Sequence, residues 1–305
     1  MRHYSSKEIR EFVLSPIYDE SSVLNSDPSW PKISIVVPSY NQSVFLERTL
    51  ISILNQNYPN MELIVIDGGS NDGSQDIINR YDKYIDYWIS EKDKGQSDAL
   101  NKGFAKTSGE IIAWLNSDDI YLPGTLRRVG SEVMSRPRVD VFYGNEYIID
   151  EDDQIIKERR VTSGLPIFSM LGFLAGNFGY YQPASFWKKE LYLKVGGVDS
   201  SFRFTMDNDL FAKFDLAGAK YCFIKQFLSG FRLHSGSKTT NMQDIAAGEL
   251  KHIYEKYNMP KPVSSFVRMN LLRLIKSLLY IKQGDGLWLA KNIINHYLCG
   301  IKFNY

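Results

Sequence analysis

The chain has 305 residues, 44% hydrophobic and 13% aromatic, with a formal net charge of +1. That length suits one sizeable catalytic domain with an appended segment, and the lack of a basic excess argues against a nucleic-acid partner. Cys222 and Cys299 show no metal or disulfide-framework spacing, the N-terminus lacks the apolar core of a signal peptide, and no run of about 18 apolar residues occurs, so a cytoplasmic, non-spanning protein is expected.

Residues 1–31 read as an N-terminal extension, polar and rich in Ser, Asn, Asp and Pro from Ser21 onward, with Ile9, Phe12, Val13 and Ile17 spaced for a short amphipathic helix. At Lys32 the pattern changes. Ile33–Pro38 reads as a buried strand, Ser39–Ser43 as a loop ending in capping residues, and Phe45–Gln56 as a helix stopped by Asn57-Tyr58-Pro59. Glu62–Asp67 is a second strand, and Gly68–Ser74 a glycine-rich turn into a helix over Gln75–Tyr81. Strand, helix, strand, helix at this spacing makes a βαβ unit and parallel sheet. The glycine turn is neither a dinucleotide fingerprint nor a P-loop. It offers backbone donors at a strand end, and equally serves a tight turn that needs positive φ.

Ile111–Leu115 is a further buried strand that breaks into Asn116-Ser117-Asp118-Asp119, at the carboxyl end where open α/β sheets bind ligands. Two adjacent carboxylates repel each other and lose hydration unless a cation sits between them, and oxygen ligands favour Mg²⁺ or Mn²⁺ over zinc. The same residues also suit a turn or a helix cap. A helix over Pro123–Ser135, a strand over Val139–Tyr143 and a hairpin over Asn145–Ile156 follow. Its tip, Asp150–Asp153, lacks calcium-loop spacing and reads as a solvated turn. Pro166–Trp187 is aromatic and glycine-rich, with Phe168, Phe173, Phe178, Tyr180, Tyr181, Phe186 and Trp187 available to stack on sugar rings or to fill a core. Asp207 and Asp209 form a second acidic group. Beyond Asn241 the chain reads as helical, with helices over Gln243–Tyr257 and Val263–Lys282. The second carries Arg268, Arg273, Lys276 and Lys282 and no acid, which suits an anionic bilayer surface or docking on the catalytic domain.

Taken in order, Ser34–Asn41, Ser52–Gln56, Leu63–Gly73, Gly95–Gly103 and Gly109–Asp119 resemble family 2 glycosyltransferases of the GT-A fold, of the bacterial surface-glycan type. The resemblance implies an α/β nucleotide-diphospho-sugar transferase fold, with a mainly parallel central sheet flanked by helices and a helical C-terminal extension. Its catalytic domain would span 32–240, divided into a nucleotide-sugar-binding half (32–122) and an acceptor-side half (123–240), with a helical segment over 241–305. Pro38, Tyr40, Asn41 and Asp67 would hold the nucleoside. Asp118 and Asp119 match the metal-and-ribose motif, with Asp119 expected to touch the metal. Asn116 departs from the common Asp there, and Gly68 stands where many relatives place a second, base-reading Asp.

Gly95, Gln96, Asp98 and Asn101 fall in the segment that lies over donor sugar and phosphates, with Lys94 and Lys102 placed to offset diphosphate charge. Asp207 matches the catalytic base, Gln182 and Trp187 the acceptor side, Asp209 either the acceptor side or a structural role at the helix start or a neighbouring loop, His234 a metal or diphosphate ligand, and Lys238 a diphosphate contact. The implied activity is inverting, Mn²⁺- or Mg²⁺-dependent transfer from a UDP-, dTDP- or GDP-sugar to a hydroxyl of a glycan or lipid-linked glycan, in surface polysaccharide synthesis, with possible membrane contact through 263–282. Two alternatives remain. A sugar nucleotidyltransferase should carry a basic, glycine-rich triphosphate loop, which Pro38–Gln42 lacks, and a non-catalytic nucleotide-sugar or glycan-binding module would not need Asp207.

Overall fold

The computed structural model describes residues 1–17, 27–162, 180–258 and 266–299. Phe168, Phe173 and Phe178 of the aromatic run, and the expected start of the helix at Val263, lie outside them. Two compact units result, one from Met1–Arg160 with Tyr180–Lys251, the other from Val161–Gly179 with His252–Tyr305.

The first unit is built on one sheet of nine strands: β1 (Ile33–Ser39), β2 (Met61–Asp67), β3 (Tyr87–Ser90), β4 (Ile111–Trp114), β5 (Ile120–Tyr121), β6 (Val141–Ile149), β7 (Ile155–Arg159), β8 (Ser185–Lys188) and β9 (Tyr221–Arg232). Their spatial order is β3-β2-β1-β4-β8-β6-β9-β5, with β7 beside β6. β1, β2, β3 and β4 pair in parallel. Every residue of β1 is buried, as a parallel strand covered on both faces should be.

The covering helices are α1 (Ser6–Leu14), α2 (Ser43–Leu54), α3 (Ser74–Arg80), α4 (Gln96–Lys106), α5 (Thr125–Ser135), α6 (Lys189–Lys194), α7 (Met206–Leu216), α8 (Lys238–Asn241) and the first part of α9 (Gln243–Lys256). Helix α4 lies so close to β1 that a side chain at Gly103 would run into Val36. The main core joins Ile35, Val37, Leu46, Leu50, Leu63 and Val65 to Leu126, Val129, Phe142 and Phe186.

The mainly parallel sheet expected from the sequence holds for the first half only. β8 runs antiparallel to both β4 and β6, β5 antiparallel to β9, and β7 antiparallel to β6, while β6 and β9 are parallel. The β6/β7 pair has to be antiparallel, since a short hairpin cannot supply a crossover. The strand expected over 139–143 and the first arm of the hairpin are one continuous β6.

Residues 1–17 are more than an extension. Ser5 and Glu8 form a capping box that starts α1, and Ile9, Phe12 and Val13 pack against Ile120, Leu122, Tyr147, Ile149 and Phe227. In the second unit, α10 (Phe266–Lys282) and α11 (Gly286–Cys299) are joined through Gly284 at φ 84°, and the Tyr280 and Trp288 rings meet at 5.1 Å. Among the described residues no helix is long and apolar enough to cross a membrane.

Candidate active site

β1 parts from β4 at the carboxyl ends of the strands. Their ladder ends at Val36 and Trp114, with Leu115 N–H donating to Val36 O at 2.9 Å, whereas the β1/β2 ladder runs on to Ser39 and Asp67. By strand alternation Pro38 faces the β4 side beyond that ladder, where its missing N–H costs nothing. The β1–α2 and β2–α3 loops then lock together. Asn41, in the left-handed region at φ 51°, receives Asn71 N–H on Oδ1 at 3.0 Å and donates its own N–H to Ser70 Oγ at 2.8 Å. Tyr40 is left 62% exposed on the rim.

Asp67, expected to face the nucleoside, is turned inward instead. It is fully buried and accepts from Gly69 N–H, Ser70 N–H, Ser70 Oγ and Ser90 Oγ, so it shapes the glycine turn.

At the end of β4 the two adjacent aspartates separate. Asp119, expected as the direct metal contact, is enclosed, with Oδ1 accepting Arg232 N–H at 2.9 Å and Oδ2 accepting Asn116 Nδ2 at 3.2 Å. Burial, and then the neighbouring Asp118, raise its pKa well above the usual carboxylate range. Asp118 is the carboxylate that faces outward, with Oδ2 3.0 Å from His234 Nε2. Phe45 braces the imidazole at 4.7 Å between ring centroids.

Behind this pair stands Arg232, which sequence reasoning missed. Its guanidinium donates to Asp118 O at 2.8 Å, Asp150 O at 2.7 Å and Asp153 Oδ1 at 2.7 Å. Asp153, read from sequence as part of a solvated turn, is fully buried between Arg232 and Arg48. Two cations compensate the one buried charge.

Asn116 links the acidic pair to the next loop: its Oδ1 accepts Gln96 Nε2 at 2.7 Å, and Gln96 Oε1 accepts Lys238 Nζ at 2.8 Å. The Lys238 ammonium also faces the carboxylates of Asp118 and Asp93. An aspartate at 116 would set a third carboxylate against Asp119, so the amide fits where an acid would not. Gly95 adopts φ 111° at the start of α4, which glycine tolerates.

Several residues expected on the donor and acceptor sides serve the scaffold. Asp98 accepts Lys94 N–H and pairs with Lys102, whose ammonium is also held by Glu91 at 2.8 Å. Asn101 donates to Val198 O at 3.0 Å and accepts Tyr192 OH. Gln182 donates to Trp114 O at 2.7 Å, and Trp187 is a core ring against Trp114, Phe211 and Phe214 rather than an acceptor platform.

The segment before α7 is tied to α4 by Ser97 Oγ donating to Phe202 O at 2.6 Å, and to α9 by Glu249, which accepts the N–H groups of Arg203, Phe204 and Thr205. That positions Asp207 in the first turn of α7, half-buried, with Oδ1 accepting Asn208 N–H at 2.8 Å. Loss of water pushes its carboxyl up to about 6. Asp209 is buried and paired with Lys213 at 2.8 Å, which places it in the structural role at the helix start rather than on the acceptor side.

A mixed sheet flanked by helices, with an outward Asp–His pair at its strand ends, fits a GT-A-type fold. The chain belongs to glycosyl transferase family 2, whose sequence model matches residues 34–211. An uncharacterized glycosyltransferase of Rickettsia typhi is 30% identical over 69% of this chain and 66% of its own length. The glycosyltransferase GlyG of Streptococcus pneumoniae is 29% identical over 73% of this chain and 78% of its own. Among solved structures, S. aureus TarS in complex with UDP-GlcNAc is similar at a TM-score of 0.56 and 17% identity, over 68% of this chain and 60% of that one. A Pyrobaculum calidifontis mannosyltransferase in complex with GDP-Man and Mn²⁺ gives 0.56 and 17%, over 94% and 81%. The chain thus spans about two thirds of the Rickettsia relative and less of TarS.

Proposed function

We propose that this glycosyltransferase is inverting and divalent-metal-dependent, moving a sugar from a nucleoside-diphosphate donor to a hydroxyl of a glycan or lipid-linked glycan. The observation that carries the reading is the Asp118–His234 pair at the carboxyl end of β4, linked through Asn116 and Gln96 to Lys238. One carboxylate and one imidazole suit Mn²⁺, or Mg²⁺ with more water in its shell. Among the described residues no group of three or more His, Cys, Asp or Glu side chains is placed to hold a metal ion, so phosphate oxygens and water would complete the shell of an ion bound by this pair. A divalent ion held by Asp118 and His234 would neutralise charge on the diphosphate leaving group.

The chain's own groups supply the rest. Lys238 adds a cation beside the diphosphate. Asp207 receives the proton of the attacking acceptor hydroxyl; with its carboxyl near 6 it is mostly ionised at neutral pH yet more basic than an ordinary aspartate. Support for the donor class comes from the UDP-GlcNAc and GDP-Man complexes of the structural neighbours. Acid-free α10, with Leu274, Leu278 and Ile281 exposed along one stripe, supports a peripheral position on the inner face of the cell membrane, with the catalytic chemistry on the cytoplasmic side.

Donor hydrolysis over a panel of nucleotide sugars, with Mn²⁺ and with EDTA, tests the reading, and NMR of the first-formed anomer tests inversion. Hydrolysis that survives EDTA removes the metal, and retention at the anomeric carbon removes Asp207 as a simple base.

A further inference from the structure

We propose that Asp93 reads the nucleobase in this chain and selects a pyrimidine imide, uracil or thymine. The inference rests on the site being a nucleoside-diphosphate site, and it names the base. Between the ends of β1 and β2 the backbone at Gly68 is bare, and an added Cβ there would lie 2.7 Å from Asp93 Oδ2 and 3.2 Å from Tyr40 Cδ2. The missing side chain is what lets a carboxylate from the β3–α4 loop lean over the strand end, beside an exposed aromatic ring.

The two oxygens of Asp93 differ. Oδ1 accepts Gly95 N–H at 2.8 Å, which fixes the carboxylate plane, while Oδ2 has no hydrogen-bond partner among the described residues. The loops on either side are cross-tied through Asn41, Ser70 and Asn71, so the groups are held in place before any ligand arrives.

A base stacked on Tyr40 would therefore meet a single open acceptor. Uracil and thymine present one ring N–H between two carbonyls and match it. Guanine presents two parallel donors, and the second would have to share Oδ1 with Gly95 N–H. Cytosine and adenine carry no ring N–H on that edge, so only the exocyclic amine can donate, with a ring-nitrogen lone pair set beside the carboxylate. An unpaired or repelled polar group at such a site is costly.

Calorimetry of UDP, dTDP, GDP, CDP and ADP with Mn²⁺ tests this. UDP and dTDP should bind roughly 10–100-fold more tightly than the others, the span of one charge-assisted hydrogen bond. Asp93→Asn keeps an oxygen for Gly95 N–H and turns an NH₂ toward the base, so UDP should weaken by a similar factor while CDP, whose N3 accepts, gains. Gly68→Ala displaces the carboxylate without altering Asp93 and should weaken UDP and dTDP selectively. It serves as the second route if Asp93→Asn fails to fold. Tyr40→Ala should weaken every nucleotide alike. Equal affinities across the bases, or UDP binding unchanged in both Asp93→Asn and Gly68→Ala, overturns the assignment of Asp93 and leaves the nucleotide site intact. Failure of the wild-type protein to bind any of the five overturns the underlying reading as well.

Discussion

Adjacent residues at a strand end can have opposite fates, and Asp118 and Asp119 do. Asp119 accepts the Arg232 N–H and the Asn116 amide, while Asp118 faces His234. Asp118→Ala should abolish the Mn²⁺-dependent part of donor affinity in calorimetry and leave the melting temperature nearly unchanged. Asp119→Ala strands the buried Arg232 N–H and the part-buried Asn116 amide, at roughly 1–3 kcal/mol for a buried donor left unsatisfied, and should show chiefly as lost stability; normal melting with lost metal response would reverse the assignment. At Asp207 the carboxyl is pushed up to about 6, and the ionised form is the working base, so turnover should fall as pH drops through about 6. Asp207→Asn should lower kcat by ~10²–10⁴-fold with little change in donor affinity, and flatten that acid limb. Retained turnover in Asp207→Asn would put the base elsewhere.

Between strands, a polar row crosses the sheet: Tyr121 on β5, Ser229 on β9, Glu146 on β6 and Arg159 on β7 stand in register. Tyr121 OH, Ser229 Oγ and Glu146 Oε2 are buried without hydrogen-bond partners among the described residues, and only Glu146 Oε1 meets Arg159, at 2.6 Å. Burial, partly offset by Arg159, lifts the Glu146 carboxyl from 4.5 to about 7. A raised carboxyl contributes stability that is complete below its unfolded value and is lost as pH rises through the folded one, here roughly 3 kcal/mol between about pH 4.5 and 7. Glu146→Gln cannot ionise, so its melting temperature should change less between pH 5 and 8 than that of the wild type; parallel curves would show that Glu146 does not titrate in that window. No spacing in the sequence announces this row, because it is assembled by strand pairing. What the sequence did show was β1, β2 and β4, whose apolar runs are bounded by Pro38, Asp67–Gly68 and Asn116. It hid the edge strand β3 and the long β9, where Lys225, Gln226, Ser229 and Gly230 blur the alternation and the β6/β9 register shifts twice. It also hid which aspartate is enclosed, because that is decided by Arg232, 113 residues away from Asp119.

On the scale of the molecule, charge is unevenly spread. The chain as a whole carries +1, yet residues 266–299 hold Arg268, Arg273, Lys276, Lys282 and Lys291 against the single acid Asp285. Asp285 is itself buried, accepting from Gln283 at 2.7 Å. On α10 the exposed Leu274, Leu278 and Ile281 fall at i, i+4 and i+7 and share one face, and Leu287 on α11 is 91% exposed. Apolar side chains among cations bind an anionic interface by two additive terms, burial of the apolar stripe and attraction to lipid charge, of which only the second is screened by salt. The 305-residue chain should therefore sediment with phosphatidylglycerol-rich vesicles, less at high salt, and poorly with phosphatidylcholine alone. Replacing Leu274, Leu278 and Ile281 together by Glu removes both terms at solvent-facing positions, where glutamate is a good helix former. That variant should keep wild-type melting and donor hydrolysis in solution but stay in the supernatant. If the wild-type chain never sediments with anionic vesicles, the stripe faces another protein surface, and the membrane placement falls while the catalytic assignment stands.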